Sequence, residues 1–396
     1  MLTAASGYWE PTGPEGGPAK FILQSLTDSD TFYSFTGTTL PFGVFKSTDE
    51  GDNWTQTGTF DTQIYSTAIG PTGLLFAGSM GNIYVSDDEG ATWNGYALTG
   101  FFAYSMATHP TDPNLVYSAG FESISGNYYM TLAVSTNGGS SWTLNRFTTE
   151  QGYCRCISVS NSSPNILYVG GSTKTPVEPI LFRSTDGGNS FTEVISSAWS
   201  GDNMLTSITI HPTNPNTLCA GTTACIYRTT NGGSSWSPVS SSTSYHYAMQ
   251  YSRANPSVVI AGGKDCFYRS LNGGLTWTTH TEGLNGGSVM SLAADWSTPA
   301  RLHTVNYTGI YRTDNTGTSW YGTNSGLYMG KVLNFLAVET SPWTLYASVT
   351  SLGIFRTTDN AGSWSSLGTP LACGDVCAMA TEEGNPNRLL ALEGTG

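Results

Sequence analysis

Eight acid or amide side chains recur in one local setting along this 396-residue chain: Asp49, Asp88, Asn137, Asp186, Asn231, Asn272, Asn315 and Asp359. Side chains of these types can move protons or hold a metal ion. Each occupies the third position of an octet, Ser/Thr-x-Asp/Asn-x-Gly-x-x-Trp/Phe. The octets begin at Ser47, Ser86, Ser135, Ser184, Thr229, Ser270, Thr313 and Thr357. They close on Trp54, Trp93, Trp142, Phe191, Trp236, Trp277, Trp320 and Trp364. A chemistry that needs one acid does not need eight, so repetition argues for a structural role. Short polar side chains can bond nearby backbone N–H groups and fix a tight turn. Glycine permits a positive φ, and the closing aromatic buries a large apolar area. The last copy departs from the pattern, with Ala361 at the glycine position and Gly362 one place later.

The closing aromatics lie 39, 49, 49, 45, 41, 43 and 44 residues apart. That range belongs to propeller blades or helical arrays. Between octets, an apolar run ending in a Pro/Asn turn is followed by a second short run. A third run leads into the octet, and a fourth starts at its aromatic. The runs are rich in Val, Ile, Tyr, Phe and Thr, they alternate, and they show no helical period. The fold predicted is all-β: a propeller of four-stranded antiparallel blades, eight-bladed, with seven or nine as the alternatives. Eight octet blades span residues 20–368. Residues 1–19 hold Tyr8-Trp9-Glu10-Pro11, which reads as a strand closing the ring, and residues 369–396 read as a partial blade. A shared closing blade would then lack one strand. The expectation drawn from this is a piece of a longer polypeptide, or a partner that supplies the missing strand.

The octet resembles the Asp-box (BNR) repeat of sialidases, xyloglucan-hydrolysing glycosidases, sortilin-type receptors and photosystem assembly factors. The resemblance covers almost the whole chain. It implies a propeller with its boxes on the periphery, away from the ligand site.

Charged residues make up 11% of the chain, against about 25% in ordinary soluble domains. The formal net charge is −13, with 15 Lys plus Arg. Nucleic acid is therefore excluded as an expected partner, since phosphate binding needs a basic surface. No apolar run approaches the roughly 18–20 residues of a membrane span, and the first residues lack the parts of a signal peptide. The acidic, lysine-poor composition fits an extracellular or cell-surface protein. Of the seven cysteines none forms Cys-x-x-Cys, and no metal or cofactor is expected. Cys219 and Cys225 flank a short turn and could pair across a hairpin, as could Cys373 and Cys377 across a loop. The alternative is that these are small buried apolar side chains.

In a four-stranded blade the octet turns and the Pro/Asn turns share one face. The second-to-third strand loops and the inter-blade connections share the other. Loop length varies on that second face, and blades two to four carry the long loops. Residues 95–104 bring Tyr96, Phe101 and Tyr104, and residues 121–130 bring Glu122, Tyr128 and Tyr129. Residues 145–153 bring Glu150 and Tyr153, residues 193–205 bring Trp199 and Asp202, and Tyr245 and His246 follow. Aromatics beside carboxylates suit sugar rings or a protein interface; packing inward as small loop cores is the competing reading. Lys46, Arg183, Arg228, Arg269, Arg312 and Arg356 precede their octets and read as repeat-encoded, with packed stems.

Sialidases use three arginines, a Tyr–Glu pair and an Asp acid, and the early F/Y-R-I-P motif is missing here. The segment matching an early catalytic Asp of xyloglucan hydrolases, residues 35–43, has no carboxylate. A glycosidase needs two carboxyl groups at a set separation, and no spacing singles out two among Glu122, Glu150, Asp202, Asp265 and Glu282. The leading expectation is a non-enzymatic propeller that binds protein or glycan. A glycoside hydrolase, alone or as one half of a two-propeller enzyme, is the runner-up. An assembly subunit joined through terminal strands is third.

Overall fold

The computed structural model describes residues 18–36, 41–194, 199, 202–240, 245–264, 266–284, 288–325, 332–338, 342, 344–349, 353–359, 363–367, 376–382 and 385–393. Every regular element of more than a single turn is a strand. Eight four-stranded antiparallel units follow one another in chain order, as the eight octets require. The second and third units are joined into one six-stranded sheet, because Asn94–Thr108 is outermost in the one and innermost in the next, and Leu75–Ser86 runs without a break through the second and third strand positions of blade two.

The octet turn is the same in the first seven copies. In the first copy Gly51 N–H donates to Ser47 Oγ at 2.9 Å, and Ser47 Oγ–H donates to Asp49 Oδ1 at 2.7 Å. Asn53 N–H donates to the same Asp49 oxygen at 2.9 Å. The acid or amide is thus consumed in holding its own turn, and Gly51 sits at φ 87°, where any side chain would strain the backbone. The eighth copy keeps the bond from Thr357 Oγ to Asp359 and that from Ser363 N–H to Asp359; Ala361 and Gly362 lie outside the described residues.

The closing aromatics of blades two to seven each pack on the blade before their own. Trp93 joins Phe35, Val44 and Phe60 of blade one, Trp236 joins Tyr168 and Leu181 of blade four, and Trp320 joins Phe267 of blade six. By the same rule Trp54 of blade one should find the last blade of the ring. It packs on Ala293, Val305 and Ile310 of blade seven, and its indole N–H donates to Thr323 O at 2.8 Å. The cations preceding the octets repeat the pattern from the other side. Arg228 donates to Gly273 O of the next blade at 2.8 Å, and Arg269 donates to Thr316 O at 2.8 Å. Arg312 of blade seven reaches Asp52 of blade one at 2.7 Å.

The innermost strands confirm the closure. Ala19–Gln24, Ile64–Ile69, the second half of Asn94–Thr108, Gly152–Val159, Leu205–Ile210, His246–Tyr251 and Ser291–Ala294 pack in that order, and the last packs back on the first. Eight four-stranded units are present, and seven of them form the ring. The reason is that blade one already occupies the flank of blade seven where an eighth would enter. The eighth unit, Val332–Val338 to Ser365–Ser366, follows the ring, and its first strand packs against a two-stranded sheet of Val376–Glu382 and Asn385–Glu393. Tyr8-Trp9-Glu10-Pro11 lies outside the described residues.

Candidate binding site at the channel mouth

The innermost strands of blades one to six share a feature beyond their packing: the register with the second strand slips by one residue near the strand start. The extra residues are Lys20, Tyr65, Tyr104, Arg155, Thr206 and Tyr247 in blades one to six. A bulge leaves one residue unpaired and re-aims its side chain. Because the slips fall at equivalent positions, they set one side chain per blade at the end of the channel opposite the octet turns.

Blades one to four fill this rim with a continuous chain of contacts. Lys20 Nζ lies 5.2 Å from the Tyr65 ring, and the Tyr65 and Tyr104 rings are 5.4 Å apart. The Arg155 guanidinium lies 4.4 Å over Tyr104 and 5.3 Å from Tyr153. Phe121, buried, is the hub: it stacks on Phe102 at 4.4 Å and meets Tyr128 and Tyr153 edge-on, each at 5.1 Å. Lys174 Nζ covers Tyr128 at 4.7 Å, and Arg146 covers Tyr129 at 4.5 Å while pairing with Glu122 at 2.8 Å. Burial pushes the Tyr153 phenol up from its ordinary value. Next to Lys20 is a cavity of about 200 Å³, lined also by Phe42, Gln63, Met290 and Tyr307. Burial lowers the Lys20 ammonium to about 8, and it donates a hydrogen bond to Ile64 O at 2.6 Å.

Tyr104, Glu122, Tyr128, Tyr129 and Tyr153 are brought together here, and Glu150 is exposed on the adjoining connection. They do not stand on loops. Residues 95–104 and 121–130 are extended strand, Asn94–Thr108 and the hairpin of Val116–Ile124 and Asn127–Ser135, so blade three rises above its neighbours as sheet. Tyr245 is exposed on a separate arc, parallel to Tyr247 with ring centroids 5.8 Å apart.

Five expected contact residues belong to the interior instead. Phe101 is buried with Ala68, Phe76 and Ile83, and Tyr96 packs against the same core. Trp199 is buried against Trp236 and Tyr227. Asp202, buried, accepts Tyr227 OH at 2.8 Å and Thr222 Oγ–H at 3.0 Å. His246 has no exposed surface, and its Nδ1 lies 2.9 Å from Thr222 O. Strand alternation turns Tyr96, Phe101 and His246 inward, the connection between Glu193 and Leu205 carries Trp199 and Asp202 inward, and the polar ones are satisfied there.

The disulfide expected between Cys219 and Cys225 is absent: both thiols are free. The hairpin register sets Cys219 opposite Arg228, with Gly221 opposite Ile226, so Cys225 lies beyond the last pair. Cys219 is buried beside Tyr251 OH, at 3.5 Å. Cys373 and the side chain of Cys377 lie outside the described residues.

Phe102 and Phe121 were grouped with the loop aromatics in the sequence, whereas Lys20, Tyr65, Arg155 and Lys174 were not singled out. A signal existed for the bulge position. The residue after it is small in five of the six blades (Ser66, Ser105, Cys156, Ser207, Ala248), while the position itself varies between Lys, Tyr, Arg and Thr.

The repeated turn and the seven-bladed ring define an Asp-box β-propeller. The Sortilin-Vps10 family (sortilin, neurotensin receptor 3) matches residues 43–175, about a third of the chain. No curated protein matches at the level of sequence. Among solved structures, the chain is similar to the GH74 xyloglucanase of Xanthomonas campestris, at 13% identity and TM-score 0.65, over 94% of this chain and 71% of that one. It is similar to an ancestral GH74 enzyme at 16% identity and TM-score 0.73, over 99% of this chain and 60% of that one. It therefore spans less than two thirds of the latter's length. It is also similar to YCF48 bound to D1 peptide, at 13% identity and TM-score 0.54, over 76% of this chain and 92% of that one. These likenesses establish the fold.

Proposed function

We propose that this chain is a non-enzymatic extracellular or cell-surface propeller that binds a protein partner through the rim opposite its octet turns. The observation that carries this reading is how the rim aromatics are covered. A sugar ring stacks on a free aromatic face. Here one face each of Tyr104, Tyr128 and Tyr129 already carries Arg155, Lys174 and Arg146. What the rim offers is guanidinium, ammonium and phenol groups around an aromatic centre, the composition enriched at protein interfaces. Solved propellers of similar fold include both a peptide-bound one and xyloglucanases, so the choice rests on this chain's own side chains.

The hydrolase alternative requires two facing carboxyl groups. Of the expected carboxylates, Glu122 is paired with Arg146, Asp202 is buried under two donors, and Asp265 lies outside the described residues. The test is selection of a displayed peptide library on the purified chain. Enriched peptides should lose about tenfold or more in affinity on Tyr128→Ala with unchanged thermal stability, while a glycan array stays blank. Release of reducing sugar from a β-glucan panel, abolished by Glu150→Gln, would replace this reading with the hydrolase.

A further inference from the structure

The inter-blade cations of this protein are mostly tied down. Lys46 pairs with Glu89, Arg146 with Glu122, and Arg301 and Arg312 with carboxylates of the seam between blades one and seven. Arg228 and Arg269 donate to carbonyls of the next blade. Arg155 differs. Its Nε, like those of Arg183, Arg269 and Arg356, is buried with no hydrogen-bond partner, but unlike Arg183 and Arg269 its guanidinium makes no hydrogen bond or ion pair among the described residues and lies on tyrosine rings. Lys20, at the other end of the same arc, is likewise in no ion pair among the described residues; it lies over Phe21 and Tyr65 beside the 200 Å³ cavity. Leaving a guanidinium donor buried and unmet costs free energy, and a guanidinium fork matches a carboxylate in geometry. Both cations are bulge residues, aimed at the rim by backbone irregularities that the strand pairing alone does not require.

We propose that Lys20 and Arg155, with Tyr65 and Tyr104 between them, form an anion-binding arc that takes carboxylate side chains from an acidic stretch of the protein partner. This rests on the protein-binding reading above and names the partner's chemistry. The rest of the molecule strengthens the selection. With a net charge of −13, the surface at large repels an acidic segment and leaves the basic arc as its favourable landing point. A carboxylate beside Lys20 would also favour the charged ammonium and so offset the desolvation that depresses it.

The experiment compares a short fluorescent peptide of repeating Glu-Tyr-Glu-Gly, amidated at its C-terminus, with the same peptide carrying Gln for Glu. The wild-type chain should bind the Glu peptide about tenfold or more tightly, and added salt should erode that preference. Arg155→Gln and Lys20→Gln should each remove most of it, with circular dichroism and Tm showing an intact fold. Arg155→Lys, which keeps the charge and loses the fork, should retain part of it. Equal affinity for the two peptides, with both weakened by Tyr128→Ala, would overturn the anion arc and leave the protein-binding reading standing. A Glu preference that survives Arg155→Gln in a folded protein, or failure of either peptide to bind, would also overturn it.

Discussion

Acid should loosen the ring at one seam through one residue, His303. It stands on the second strand of blade seven, Leu302–Asn306, and reaches across to blade one. Its Nε2–H donates to Glu50 O at 2.9 Å, its ring lies on Phe32 with centroids 4.1 Å apart, and it is fully buried. Its Nδ1 has no hydrogen-bond partner. Protonation would place a second N–H where no acceptor stands, beside Arg312 and Arg301. Burial first, and those two cations after it, lower the imidazolium to about 4, against the opposing pull of the Glu50 carbonyl and Asp295. The unfolded chain takes this proton below about 6.5, and the folded one only near 4. The unfolded state therefore binds more protons throughout that window, so stability is lost as pH falls from about 6.5 towards 4. Integrated from pH 7 to pH 4.5, the loss from this one group is about 2.5 kcal/mol. The assay is urea unfolding of wild type and His303→Gln at several pH values across that range. Glutamine can donate to Glu50 O and does not titrate. The variant should be the less stable at pH 7, having lost the ring's packing on Phe32, and the gap should close or reverse by pH 4.5. Parallel stability curves would refute the reasoning.

Trp54→Ala should cost about 4 kcal/mol in urea unfolding, as a fully buried seam aromatic that also loses its hydrogen bond to Thr323 O. Trp364→Ala, half-buried and in none of the described core clusters, should cost less than half as much. Lys20→Met should stabilise the chain at pH 7. The ammonium is lowered from 10.5 to about 8, a cost of about 3 kcal/mol offset by about 1 for the bond to Ile64 O, so the gain is about 2 kcal/mol and should fade as pH rises towards 10. Hydrogen bonds from Thr92 and Ser86 hold the Asp88 carboxyl at about 2, below its unfolded value. The stability it gives is present above about 4 and lost as pH falls towards 2. Asp88→Asn should keep the turn, as Asn137 does in its own copy, and flatten that part of the acid dependence of Tm.

The blade was legible in the sequence because its determinants are local. Ser47, Asp49, Gly51 and Asn53 make their turn with each other, and eight copies of one solution are hard to mistake. Ring closure was not legible. It depends on which blade Trp54 meets some 270 residues away, and a count of octets carries no such information. At the rim, Tyr104, Tyr128 and Tyr153 were found because they are aromatic and lie between octets. Phe101 and Trp199 were grouped with them for the same reason, since composition does not say which side of a strand Phe101 takes or that the connection bearing Trp199 folds inward. His246 and Asp202 look like site residues by type; only the fold shows Thr222 and Tyr227 meeting them inside. Lys20 and Arg155 were passed over because a bulge is a property of paired register, which a single strand's sequence does not display.

The central claim is a division of labour: the octets build the ring and the opposite rim does the binding. It is tested most directly by measuring Tm and affinity for a library-selected peptide on one panel of variants. Asp88→Ala and Asp186→Ala should lower Tm and leave affinity near the wild-type value, while Tyr128→Ala and Arg155→Gln should lower affinity about tenfold or more at unchanged Tm. Loss of affinity on altering an octet in a protein that still melts as wild type, with the rim variants binding normally, would contradict the account.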